Sequence, residues 1–258
     1  MKNQTINNLF NFEKKIVLIT GSSGQIGAAF SELFLSQKAI VIGIDKMQGK
    51  LRNKNFYFYR LDISNKKKVE TALSKIIFKF KKIDVLINNA SISIFSKFYK
   101  RKDQEINNTI NSNLKGSLNL INSYFKEHKR KKLKKCNIIN VGSIYGLLSP
   151  DFRIYGKKDN HNSEIYGASK AAIIQITKYY CVALSKYNIN VNCISPGGIL
   201  NEKKPQSKSF LKKYSLRVPK KRIGRVNDLY TAILFLSSEH SDYINGQNII
   251  IDGGLSSW

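Results

Sequence analysis

Tyr166 and Lys170 close the stretch Tyr166-Gly-Ala-Ser-Lys170, a spacing that sets both side chains on one face of a helix. A phenol titrates near pH ~10, too high for proton exchange at neutrality, and a neighbouring ammonium favours the phenolate and brings that value down. The chemistry open to such a pair is general acid/base work on a hydroxyl or carbonyl oxygen. A surface ion or cation–π contact would use the same spacing, so the surroundings decide.

Other residues point to a bound dinucleotide. Thr20-Gly21-Ser22-Ser23-Gly24-Gln25-Ile26-Gly27 follows an apolar run and leads into an amphipathic one. Gly21 permits a tight turn, Gly24 a close backbone approach to a pyrophosphate and Gly27 close helix–strand packing, while the helix N-terminus favours the anion. Ser23, Gln25 and Ile26 belong to the same cradle. Asp45 stands roughly 20 residues on, where a carboxylate accepts hydrogen bonds from an adenosine ribose and repels a 2′-phosphate. NAD is therefore the expected cofactor, with NADP left open because Lys46 is adjacent. Asp62 and Ile63 are placed either to meet the adenine edge or, through Asp62, to cap the next helix. Asn89 and Ala90 put a polar amide and a small side chain at the crevice, and Ser143 brings a hydroxyl to a strand end. A serine nucleophile is disfavoured: G-x-S-x-G is absent, and His128, His161 and His240 read as surface residues.

These residues need a sheet to hold them. Short apolar runs at Lys15–Thr20, Ala39–Ile44, Phe56–Arg60, Asp84–Ile87, Asn137–Val141, Asn190–Ile194 and Asn248–Ile251 predict strands. Amphipathic stretches at Ile26–Ser36, Lys66–Phe80, Gln104–Glu127, Glu164–Lys186 and Asn227–Ser237 predict helices between them. The alternation implies an α/β fold, one seven-stranded parallel sheet with helices on both faces. Such sheets bind ligands beyond the carboxyl ends of their strands, where the candidate residues fall.

The chain has 258 residues and reads as one domain, with residues 1–13 a flexible lead. It shows no apolar leader and no run of the ~20 apolar residues a membrane span needs, so a cytoplasmic protein without membrane attachment is expected. Three cysteines, none in a paired motif, suggest neither a disulfide framework nor a metal site. The formal charge of +27, from 44 basic and 17 acidic residues, invites a nucleic-acid reading. The lysines recur along the whole chain, however, with Lys126–Lys135 the densest run, which favours a solvated surface over a nucleic-acid interface.

Taken together, these motifs resemble the short-chain dehydrogenase/reductase family, from Lys15 to Gly254. The resemblance implies a single-domain Rossmann fold and hydride transfer between a nicotinamide and a carbinol or carbonyl carbon of a small-molecule substrate. It implies that Tyr166 is the general acid/base, that Lys170 binds the nicotinamide ribose and lowers the phenol's pKa, that Ser143 orients the substrate oxygen, and that Asn113 of Asn113-Leu-Lys-Gly116 completes a proton relay through a water. Ser195-Pro196-Gly197-Gly198-Ile199 resembles the segment that closes over the nicotinamide, making Pro196, Gly197 and Ile199 cofactor contacts. A homodimer or homotetramer packed through the helices around Asn113–Glu127 and Glu164–Lys186 is also implied.

The chain departs from the classical pattern at several points. Gln25 stands where that pattern has its second glycine, the spacing here being that of the extended branch. Ser91 replaces a frequent glycine, and the usual threonine is missing around Leu200-Asn201-Glu202. The loop from Tyr145 to Glu164 is longer than is common. It is similar to loops of oxidoreductases of flagellin modification and acidic-sugar biosynthesis, so Tyr145, Arg153 and Tyr155 either line a sugar-binding pocket or simply pack the loop. The C-terminal half is also similar to 3-oxoacyl carrier-protein reductases, and a dinucleotide-responsive binding protein without turnover is the reading from another class.

Overall fold

The computed structural model describes residues 10–155 and 161–258. Seven parallel strands form one sheet: β1 (Ile16–Thr20), β2 (Ile40–Asp45), β3 (Phe56–Arg60), β4 (Val85–Asn88), β5 (Cys136–Val141), β6 (Ile189–Pro196) and β7 (Asn248–Ile251), in the order β3-β2-β1-β4-β5-β6-β7. The order reverses between β1 and β4, and ligands of such sheets bind at that switch point.

Alternation along the strands explains the two layers. Ile16 and Leu18 of β1 enter one core with Ile42, Leu86 and Ile138, whereas Val17 and Ile19 enter the other with Val41, Ile87 and Ile139. The first core is covered by α2 (Lys66–Phe80), α4 (Gly116–Lys131) and α5 (Glu164–Ser185), through side chains such as Leu73, Tyr124 and Tyr180. The second is covered by α1 (Gln25–Ser36) and α7 (Tyr230–Ser237), through Phe30, Phe34 and Ile233. The expected α/β architecture and all seven strands are present. The stretch expected as one helix over Gln104–Glu127 is instead α3 (Asp103–Ile110), a π turn (Asn111–Lys115) and α4. A further helix, α6 (Lys208–Arg217), was not foreseen.

Two other expectations change. Phe12 is 2% exposed and packs edge-on against Phe34, ring centroids 5.0 Å apart, so the expected flexible lead does not extend through Phe12; residues 1–9 of it lie outside the described residues. His128 is not on the surface: it lies on α4 with 3% exposure, because its ring reaches inward to the Tyr124 hydroxyl (3.2 Å) and the Tyr187 carbonyl (3.0 Å). Burial lowers its pKa, the bond to Tyr187 working the other way.

Candidate active site

Tyr166 reaches the site because α5 starts where it does. Ser163 caps the helix, its hydroxyl accepting the Tyr166 amide at 3.1 Å. Lys170 follows one turn later, 3% exposed, and its ammonium donates to the carbonyl of Val141, the last residue of β5, at 2.7 Å. Its Nζ lies 5.7 Å from the centre of the Tyr166 ring. Two residues past β5, Ser143 Oγ accepts the Tyr145 amide at 3.1 Å, which leaves the hydroxyl proton to be donated into the site.

The electrostatics differ from the expectation that Lys170 lowers the phenol. Burial raises the pKa of Tyr166, and the hydrogen bond from Ser143 offsets this in part. Lys170 is itself brought down to about 8, because burial penalises its charge. Both groups are thus desolvated, and Lys170 is held by a carbonyl rather than by the phenol.

Asn113 lies in the π turn, 1% exposed. Its Nδ2 donates to the Ile92 carbonyl and to Ser169 Oγ, both at 3.0 Å, and its Oδ1 accepts the Ile92 amide at 2.8 Å. The side chain therefore fixes the loop after β4 and braces α5, and it is not among the residues lining the cavity that holds Tyr166. A π turn at this point suits a site where helix regularity gives way to function.

Two cavities meet along the carboxyl ends of the strands. The larger, about 750 Å³, is lined by Ser143, Tyr145, Tyr155, Tyr166, Lys170, Pro196, Gly197 and Ile199, among others. The smaller, about 470 Å³, is lined by Gly21, Gly24, Gln25, Ile26, Asp45, Ile63, Asn89 and Ala90, among others. Ile26, Asn89, Ser91, Ile199 and Gln206 line both, so one cleft runs from Asp45 to Tyr166.

The residues of the smaller cavity fit a dinucleotide. Gly21 has φ +66°, and a Cβ there would lie 2.8 Å from the Ala90 Cα. At Gly27 a Cβ would lie 2.1 Å from the Gly21 carbonyl oxygen. Gly24 caps α1 without a side chain, and the first turn holds no acidic residue; its amide protons are therefore available to an anion. Asn89 holds the turn through the carbonyls of Thr20 (2.9 Å) and Gly21 (3.3 Å).

Not every expected contact joins this cleft. Ser23 ties the turn to β2 instead, its amide donating to Asp45 Oδ2 at 3.1 Å and its hydroxyl to the Met47 carbonyl at 2.6 Å. Asp62 is neither a cleft residue nor the helix cap. Its carboxylate accepts from the Ser64 amide and hydroxyl and pairs with Lys46 at 2.9 Å, and Asn65 caps α2. Arg153 turns away from the larger cavity: its side chain is 85% exposed and paired with Asp151 at 2.9 Å. Gly156–Asn160 of the long loop lie outside the described residues. Conversely, Asn162, Gln206, Phe210 and Tyr214 line the larger cavity unforeseen. Tyr214 accepts the Gly198 amide at 2.6 Å, and burial pushes its pKa up to about 12. The apolar residues Phe210 and Tyr214 at helical spacing after Ser207 were the available signal.

Comparison with known proteins agrees with this geometry. The family model described as Enoyl-(Acyl carrier protein) reductase matches residues 23–256. A 3-oxoacyl-[acyl-carrier-protein] reductase of Thermotoga maritima is 33% identical over 94% of this chain and 98% of its own. An NAD-dependent glycerol dehydrogenase of Listeria innocua is 30% identical over 96% of each chain. The crystal structure of a short chain dehydrogenase from Leptospira borgpetersenii with bound NAD+ superposes with a TM-score of 0.89 at 40% identity, covering 95% of this chain and 94% of its own. By motif, fold and similarity along nearly its whole length, the chain belongs to the short-chain dehydrogenase/reductase family.

Proposed function

We propose that this oxidoreductase interconverts a hydroxyl and a ketone on a sugar or sugar-derived acid, with NAD as cofactor. The observation that carries the reading is the convergence of Ser143, Tyr166 and Lys170 in one cavity that continues into the glycine-turn cleft. When bound, the nicotinamide supplies or accepts the hydride. Tyr166 takes the hydroxyl proton as the carbinol is oxidised, or returns it to the carbonyl oxygen in the reverse direction. Ser143 donates a hydrogen bond to the same oxygen and holds its charge as it develops. Lys170 uses one proton on Val141 and has two more to offer the ribose hydroxyls and the phenolate. Asn113 acts through Ile92 and Ser169, as a positioning residue.

Asp45 at the cleft wall supports NAD over NADP. Lys46, the neighbour that would favour a 2′-phosphate, lines the same cavity, and its ammonium pairs with Asp62 at 2.9 Å. For the substrate, Tyr145 and Tyr155 share a hydrogen bond of 2.7 Å between their hydroxyls, and Asn162 lines the same cavity. Hydroxyls and amides over aromatic faces suit a polyhydroxylated ligand. A homo-oligomer would cover the outer face of α5, where Tyr179 and Val182 stand exposed.

The similarity to a 3-oxoacyl-[acyl-carrier-protein] reductase supports a second reading. Initial rates with a panel of sugars, sugar acids and polyols, against a 3-oxoacyl group on acyl carrier protein, separate the two. Turnover of the sugar class with NAD supports the first. Turnover confined to the carrier-bound substrate, and suppressed by salt, contradicts it.

A further inference from the structure

Two departures from the family pattern meet in space. Gln25, in place of a glycine, opens α1; Leu200-Asn201-Glu202, where a threonine is usual, follows the Pro196–Ile199 segment. Gln25 Nε2 donates to the Leu200 carbonyl oxygen at 2.6 Å. Ile199, Asn201 and Gln206 line one side of the smaller cavity, and Gly21, Gly24, Gln25 and Ile26 line the glycine-turn side. Ile26, Ile199 and Gln206 also line the larger cavity. The bond from Gln25 therefore ties the glycine-turn side of the smaller cavity to the strap, next to Ile26 and Ile199, which line both cavities.

The strap 199–206 is anchored at its other edge and braced within. The Leu200 amide donates to the Gly224 carbonyl at 2.8 Å, and the Gly224 amide to the Gly198 carbonyl at 2.9 Å. Gln206 Nε2 donates to the Ile199 carbonyl at 2.9 Å, while its Oε1 accepts the Asn201 amide at 3.2 Å. Among the described residues, hydrogen bonds join body and strap through the backbone at Gly224 and, on the cleft side, through Gln25, while Ile199 packs against the second core. A glycine at position 25 would have no side chain to reach across.

We propose that Gln25 is a positioning residue that latches the 199–206 strap across the dinucleotide cleft, so that exchange of the cofactor requires the Gln25–Leu200 bond to open. The strap is then held by the protein's own side chain. The inference rests on the dinucleotide reading of the cleft, and its test separates the two. A single neutral hydrogen bond alters an equilibrium by about 2- to 12-fold, which sets the expected size.

The test compares wild type with Gln25→Ala and with Gln25→Glu, which keeps the length but presents a carboxylate that cannot donate to a carbonyl. Without nucleotide, amide hydrogen exchange in a peptide spanning 199–206 should quicken in both variants. NADH release, followed by stopped-flow fluorescence, should quicken by about 2- to 12-fold in Gln25→Ala. Affinity for AMP, which reaches the Asp45 end and the glycine turn but not the nicotinamide end, should stay within about 2-fold of wild type, below the loss of one hydrogen bond. Unchanged exchange and release would overturn the proposal, and so would AMP weakening as much as NADH, since Gln25 would then act through the phosphate turn. If wild type bound no NADH the dinucleotide reading would fail, and the exchange measurement would still decide the latch.

Discussion

The Lys170 ammonium donates to the Val141 carbonyl at 2.7 Å, tying the helix that carries Tyr166 to the strand that delivers Ser143. A second tie lies deeper in the same interface. Asn88 Nδ2 donates to Asn140 Oδ1 at 2.8 Å, and Asn140 Nδ2 donates to Thr177 on α5 at 2.9 Å. The distance between Ser143 and Tyr166 is therefore set by buried bonds between β5 and α5, and not by the long loop between them.

Burying Lys170 has a measurable pH signature. Its pKa is about 8 in the fold against 10.5 outside it, so the unfolded chain binds more protons between those values and stability rises with pH across that window. Below about pH 8 the penalty is at its full size. Melting temperatures without nucleotide, for wild type and Lys170→Met, should converge or cross in favour of wild type as pH rises from 8 to 10.5. Parallel curves would show that the ammonium is not buried as described.

Asp45 should decide the cofactor. Asp45→Asn removes the charge that repels a 2′-phosphate and weakens the acceptor for ribose hydroxyls. The ratio of NAD to NADP affinity should fall by roughly 10-fold or more, the scale of a charged hydrogen bond. Titration of both nucleotides by fluorescence checks this, and an unchanged ratio would place the selectivity elsewhere.

His128 predicts an acid limb. Burial holds its pKa below 6.5, so the unfolded chain takes up a proton before the fold does. Its contribution is fully present above about pH 6.5 and is lost as pH falls toward the depressed value. Urea midpoints between pH 7 and 5 should fall more steeply in wild type than in His128→Gln; equal slopes would count against it.

Much of this was legible in the chain. The strands were, because residues buried on both sheet faces give near-continuous apolar runs, as in Ile16–Thr20. Tyr166, Lys170 and Ser143 were legible because they sit at strand ends or one helical turn apart. The outer lining of the larger cavity was less so. Lys208–Arg217 mixes lysines with few apolar residues, buries only Tyr214 and so hides its helix. Arg153 and Asp62 misled because a nearby partner, Asp151 or Lys46, captures each charge, and sequence spacing does not reveal such competition.

The central claim is that Tyr166 moves the proton. Single-turnover hydride transfer, with the substrate that the panel identifies and with dinucleotide affinity measured alongside, tests it in Tyr166→Phe. Transfer should slow by about 10²- to 10⁴-fold, the usual worth of a general acid/base, with NADH bound as in wild type and the fold intact. Transfer at a near-normal rate in that variant would contradict it.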